Sequence, residues 1–98
     1  MICHVVLLNW NEECTDAAVQ AVTDGLAALP GRISQIRSYH FGPDLQANDR
    51  NADYVLVANF ENEADFRTYV DHPAHVDLMK NLTGPILASF SSAQFELP

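Results

Sequence analysis

Two stretches of this chain are apolar on both sides of an extended backbone, which constrains its fold more than any other feature. Residues 2–10 (ICHVVLLNW) are β-rich and contain neither Gly nor Pro. Side chains along a strand point alternately to opposite faces. His4, Val6, Leu8 and Trp10 therefore share one face, and Cys3, Val5 and Leu7 the other. Residues 53–60 (DYVLVANF) repeat the pattern, with Tyr54, Leu56, Ala58 and Phe60 opposite Val55 and Val57. A sheet with one solvated face alternates apolar and polar residues; here both faces call for cover.

The remaining elements follow from periodicity and punctuation. Val19, Val22, Leu26 and Leu29 recur at three- and four-residue steps, predicting an amphipathic helix over Asp16 to Leu29. Thr15 or Asp16 is its cap, and Pro30-Gly31 is expected to stop it. Residues 33–42 read as a second strand, with Ile33, Tyr39 and Phe41 of one parity and Ile36 and His40 of the other. Pro43 to Asn51 is polar and turn-rich, hence a loop. Asn62 precedes a short helical pattern in which Phe66, Tyr69 and Val70 share a face. Pro73 ends it and can open a new turn carrying Val76, Met79 and Leu82 towards Gly84-Pro85. Residues 86–95 form the last strand.

The order β-α-β-β-α-β predicts an α+β, ferredoxin-like subunit: one four-stranded antiparallel sheet with two helices on one face. Two helices cover only one face. The favoured cover for the other is a second copy, a homodimer packed sheet to sheet. The alternative is that residues 74–83, about three helical turns by length, fold over the open face of a monomer.

The chain's 98 residues make a single domain, residues 1–98. It carries 5 basic and 13 acidic side chains, a formal charge of −8. That balance opposes nucleic acid and anionic membrane surfaces as partners, because both are bound through Lys and Arg. No apolar run approaches the roughly 18 residues of a membrane helix. The start, Met1-Ile2-Cys3-His4, lacks the basic region of a signal peptide. Two cysteines make no disulfide framework, so a cytoplasmic location is expected.

Chemistry is concentrated in four histidines, His4, His40, His72 and His75. His75 and Tyr69 belong to the string Tyr69-Val-Asp-His72-Pro-Ala-His75. A helix ending at His72, followed by a turn, would bring the phenol and the imidazole together. A base beside a phenol donor suits proton abstraction next to a carbonyl. Spacing alone favours a plainer reading, in which His72 caps the turn at Pro73 and His75 bonds a backbone carbonyl. His4 lies among apolar strand residues, where a core histidine satisfied by one hydrogen bond is the commoner outcome. His72 and His75 with Asp71 or Asp77 are metal-ligand types, but Pro73 breaks the helical spacing, and no metal or other cofactor is expected. Cys3 reads as core packing. Cys14 lies near a helix start, without a histidine nearby in sequence.

The opening His4-Val5-Val6-Leu7-Leu8, the helix ending Leu26-Ala-Ala-Leu29-Pro30, Ile33, Gly42-Pro43-Asp44, Tyr54-Val-Leu-Val, Phe60 and the Tyr69–His75 string together resemble the stress-responsive A/B barrel family. The resemblance covers nearly the whole chain and implies a ferredoxin-like subunit whose sheet pairs with a partner's into a dimeric α+β barrel. It leaves activity open, since many members have none established. The first functional expectation is a small dimer of unassigned activity that takes a small hydrophobic molecule or no ligand at all.

One member type, a plant polyketide cyclase, performs a cofactor-free aldol condensation with a tyrosine–histidine acid–base pair. That pair falls on Tyr69 and His75, with an orienting histidine at His4. The alternative expectation is thus a cofactor-free cyclase or lyase acting on a carbonyl substrate. Val6, Leu8, Leu56, Phe66 and His72 are the substrate-contact candidates. A third-strand histidine of the cyclase is replaced by Tyr54, and the family's aromatic-Lys pair is Trp10-Asn11 here. A cofactor-free monooxygenase, seen elsewhere in the superfamily, is a more distant alternative.

Overall fold

The computed structural model describes all residues, Met1–Pro98. The elements run β1 (Ile2–Trp10), α1 (Asp16–Arg32), β2 (Ile36–Pro43), β3 (Tyr54–Phe60), α2 (Glu63–Asp71), α3 (Pro73–Leu78), a π-helical turn Met79–Thr83, a 3-10 turn Gly84–Ile86, and β4 (Leu87–Glu96). The four strands form one antiparallel sheet in the order β2-β3-β1-β4. This is the ferredoxin-like α+β arrangement, with three helices rather than two. The two strands with apolar residues on both faces, β1 and β3, are the two central ones.

Side-chain parity sorts the sheet as expected. Tyr54, Leu56, Ala58 and Phe60 of β3 are all buried and pack with Leu8 against Val22, Leu26 and Leu29 of α1. The opposite face is left open, with Leu7 41% and Phe95 51% exposed. Residues 74–83 do not cover it. They pack on the helical side, so close to α1 that a Cβ added at Gly25 would lie 2.7 Å from Leu78 Cδ1. The monomeric alternative for covering the open face is thereby removed.

Capping behaves as the sequence indicates. Thr15 Oγ1 accepts from the Ala18 N–H at 3.1 Å, and Asn62 Oδ1 from the Asp65 N–H at 2.8 Å. Two expectations need correction. Pro30-Gly31 does not stop α1, which runs to Arg32. Pro30 forgoes one helical hydrogen bond, but the Ile33 N–H closes the last turn on the Leu29 carbonyl at 2.8 Å. Ile33 is fully buried as the C-cap, so core packing carries the helix past its breaker. Ile33 is consequently not in β2, which starts at Ile36.

The parity expected for Ile36 also fails. The β2–β3 register shifts between Ile36 and Ser38, so Ile36 pairs with Phe60, Tyr39 with Ala58 and Phe41 with Leu56. The extra residue turns Ile36 onto the same face as Tyr39 and Phe41.

Candidate functional site

The site begins with a turn. Asn62 starts α2, which places Phe66, Tyr69 and Val70 towards the sheet and its flank. His72 precedes Pro73 and is therefore held extended, at φ −64° and ψ 134°. It caps both helices: its N–H donates to the Tyr69 carbonyl at 3.2 Å, and its Nδ1 accepts from the Ala74 N–H at 3.1 Å. The reversal brings the His75 ring onto Tyr69, with centroids 4.4 Å apart and planes at 40°.

Each ring then has a defined bonding state. His75 Nδ1 lies 3.0 Å from the Val70 carbonyl oxygen, which can only accept, so Nδ1 carries the hydrogen. Burial lowers the His75 pKa, the Val70 carbonyl partly opposes that, and the neighbouring His72 lowers it further. The ring is neutral near pH 7, with an unprotonated Nε2. His4 is the complement. Gln94 Nε2 donates to His4 Nδ1 at 2.9 Å, which leaves the hydrogen on Nε2. Burial, assisted by His75, pushes the His4 pKa down to about 4. One histidine thus offers a base and the other an N–H donor.

Tyr69, 2% exposed, stands behind them. Its hydroxyl is 2.7 Å from that of Tyr39. Burial raises the pKa of both phenols, and the shared bond opposes the rise at Tyr69 while adding to it at Tyr39. If either ionises it is Tyr69, with Tyr39 donating to the phenolate.

His4 and His75 border a cavity of about 570 Å³ between α2–α3 and the β1–β4 half of the sheet. Its buried floor is His4, Leu8 and Thr83; its exposed rim includes Val70 and Phe90. An inner crevice of about 50 Å³ shares His4, Val6, Leu8, His75, Met79 and Thr83 with it and reaches Tyr69 and Leu56.

Of the sequence candidates, His4, His75, Val6, Leu8 and Phe66 line the main cavity, and Tyr69 and Leu56 the crevice. His72 lines neither; its Nδ1 is committed to the α3 cap. No three His, Cys, Asp or Glu side chains gather into a metal-ligating group. Tyr54 bonds Thr23 at 2.7 Å and lines neither cavity space. Cys14 has a raised thiol pKa, from burial and then Asp53 and Asp16, so the helix start does not favour its thiolate. His40 is exposed. Sequence reasoning missed Tyr39, Gln94 and Thr83 as site residues. Tyr39's strand parity pointed inward, but its pairing with Tyr69 had no local signal.

A family model described as Stress responsive A/B Barrel Domain matches residues 2–97. A solved structure, a dimeric ferredoxin-like protein of unknown function from Thermobifida fusca, is 36% identical with a TM-score of 0.91. The match covers 98% of this chain and 90% of that one. The stress-response A/B barrel domain-containing protein HS1 of Arabidopsis thaliana is 24% identical over 85 residues, covering 85% of this chain and 78% of that protein. Olivetolic acid cyclase of Cannabis sativa is 24% identical over 75 residues, 74% of each chain.

Proposed function

The chain belongs to the stress-responsive A/B barrel domain family, and from that premise we propose that it is a homodimer binding a small, largely apolar, oxygen-bearing molecule in the cavity of each subunit. The observation that carries this reading is the cavity itself. Its volume of about 570 Å³ falls in the range of small-molecule sites, and an apolar lining with a few convergent polar groups is their usual make-up. Pairing of the open sheet faces is supported by exposed Leu7 and Phe95, and dimerisation as such by the dimeric relative from Thermobifida fusca. No helix is long and apolar enough to cross a membrane. Two unpaired cysteines, Cys3 and Cys14, support a reducing, cytoplasmic setting.

A thermal-shift screen of small ketones, phenols and medium-chain acids tests the proposal. A ligand that binds the native state raises the melting temperature by mass action, and His75→Ala weakens the effect. If no compound class raises it, the reading fails.

A second reading, cofactor-free acid–base chemistry on a carbonyl substrate, is favoured by the complementary bonding states of His75 and His4. His75 Nε2 removes a proton from the carbon beside the carbonyl. The C–H electrons pass into an enolate, whose oxygen takes a hydrogen bond from His4 Nε2–H or the Tyr69 hydroxyl. Deuterium exchange into the methyl group of acetophenone, followed by NMR in D2O, tests this step. Exchange no faster in native protein than in His75→Gln rejects it.

A further inference from the structure

The π-helical turn Met79–Thr83 holds a polar group the rest of the molecule does not use. Thr83 is 1% exposed, yet its Oγ1 has no hydrogen-bond partner in the chain. A threonine in a helix ordinarily returns its hydroxyl to a carbonyl one turn back. Here that carbonyl, Met79 O, accepts the Gly84 N–H that closes the turn, and although its second lone pair is free the Thr83 hydroxyl makes no bond to it. Gly84 fits because a Cβ would stand 2.8 Å from the same oxygen. A buried hydroxyl without a partner costs free energy, and π turns are found disproportionately at functional sites. Thr83 borders both the main cavity and the inner crevice, together with His4 and His75.

We propose that Thr83 is a ligand-binding residue. Its hydroxyl takes one oxygen function of the bound molecule while the histidine pair takes another. The cavity therefore selects largely apolar molecules with two oxygen functions over those with one. This rests on the ligand-binding reading above and specifies the ligand's polar end. The apolar body lies against Val6, Leu8, Phe66 and Phe90.

Isothermal titration of the full chain with acetophenone and with its 2′-, 3′- and 4′-hydroxy derivatives tests the inference. Native protein is expected to bind at least one hydroxy derivative about tenfold more tightly than acetophenone, the gain of one well-made hydrogen bond. Thr83→Val, or Thr83→Ala should the valine variant not fold, erases that preference. Thr83→Ser restores it. A preference that survives in Thr83→Val, or equal weakening of every probe with a lowered melting temperature, overturns the role of Thr83 alone. Failure of native protein to bind any probe, in titration or in the wider screen, overturns the ligand-binding reading and this inference with it.

Discussion

The hydroxyl oxygens of Tyr39 and Tyr69 lie 2.7 Å apart, joining a β2 side chain to an α2 side chain behind His75. Removing one hydroxyl leaves the other without its partner, in a buried position for Tyr69 and a half-buried one for Tyr39. Tyr69→Phe and Tyr39→Phe are each expected to cost about 1–3 kcal/mol, and the double variant clearly less than their sum. Urea unfolding of the four proteins measures this; strict additivity would show that the two phenols do not support each other.

His4 makes stability depend on pH with a definite sign. Its pKa falls from 6.5 to about 4 on folding, so the unfolded chain takes up the proton first as the solution is acidified. The contribution is complete above pH 6.5 and is lost as the pH falls towards 4, roughly 3 kcal/mol in all. His75, shifted the same way, adds to the loss. Unfolding midpoints between pH 7.5 and 4 should fall less steeply in His4→Gln than in native protein. An unchanged slope would remove His4 as the cause.

The glycines separate close approach from simple flexibility. A Cβ at Gly84 would meet Met79 O at 2.8 Å, backbone that cannot yield cheaply. Gly84→Ala is expected to destabilise by about 1–3 kcal/mol. Gly31 lies in α1 with nothing within 4 Å of its Cβ position, so Gly31→Ala is expected to stabilise by about 0.5–1 kcal/mol. Thermal melts of both decide it; like-signed shifts contradict the distinction.

The open sheet face is tested by charge. Leu7→Lys with Phe95→Lys should convert the dimer to monomers in light scattering, while Val76→Lys on the helical side leaves the mass unchanged. A sheet-face variant that stays dimeric places the interface elsewhere.

The fold was legible because its signals are repetitive: two strands apolar on both faces, a helix with a three- and four-residue repeat, and prolines where chains turn. What escaped was set by long-range packing. Pro30 reads as a stop, but burial of Ile33 draws the helix on for one more turn. The extra residue between Ile36 and Ser38 inverts the parity of Ile36, and only pairing with β3 shows it. The turn that joins Tyr69 to His75 was readable from Pro73. Gln94, 90 residues from His4 along the chain, emerges only once β1 and β4 are in register. Thr83, ahead of Gly84-Pro85, reads as an ordinary helix end; its unpartnered hydroxyl follows from a π turn with no local sequence mark.

Gln94 belongs to β4, an outer strand of the sheet that pairs with β1 alone. The bond that fixes which His4 nitrogen holds the hydrogen thus comes from a border of the fold, where pairs fray first. When that end of β4 peels away, the imidazole loses its only side-chain bond and either nitrogen can carry the proton. The position of the His4 hydrogen is therefore only as lasting as one peripheral strand pairing, and amide exchange along β4 would time its interruptions.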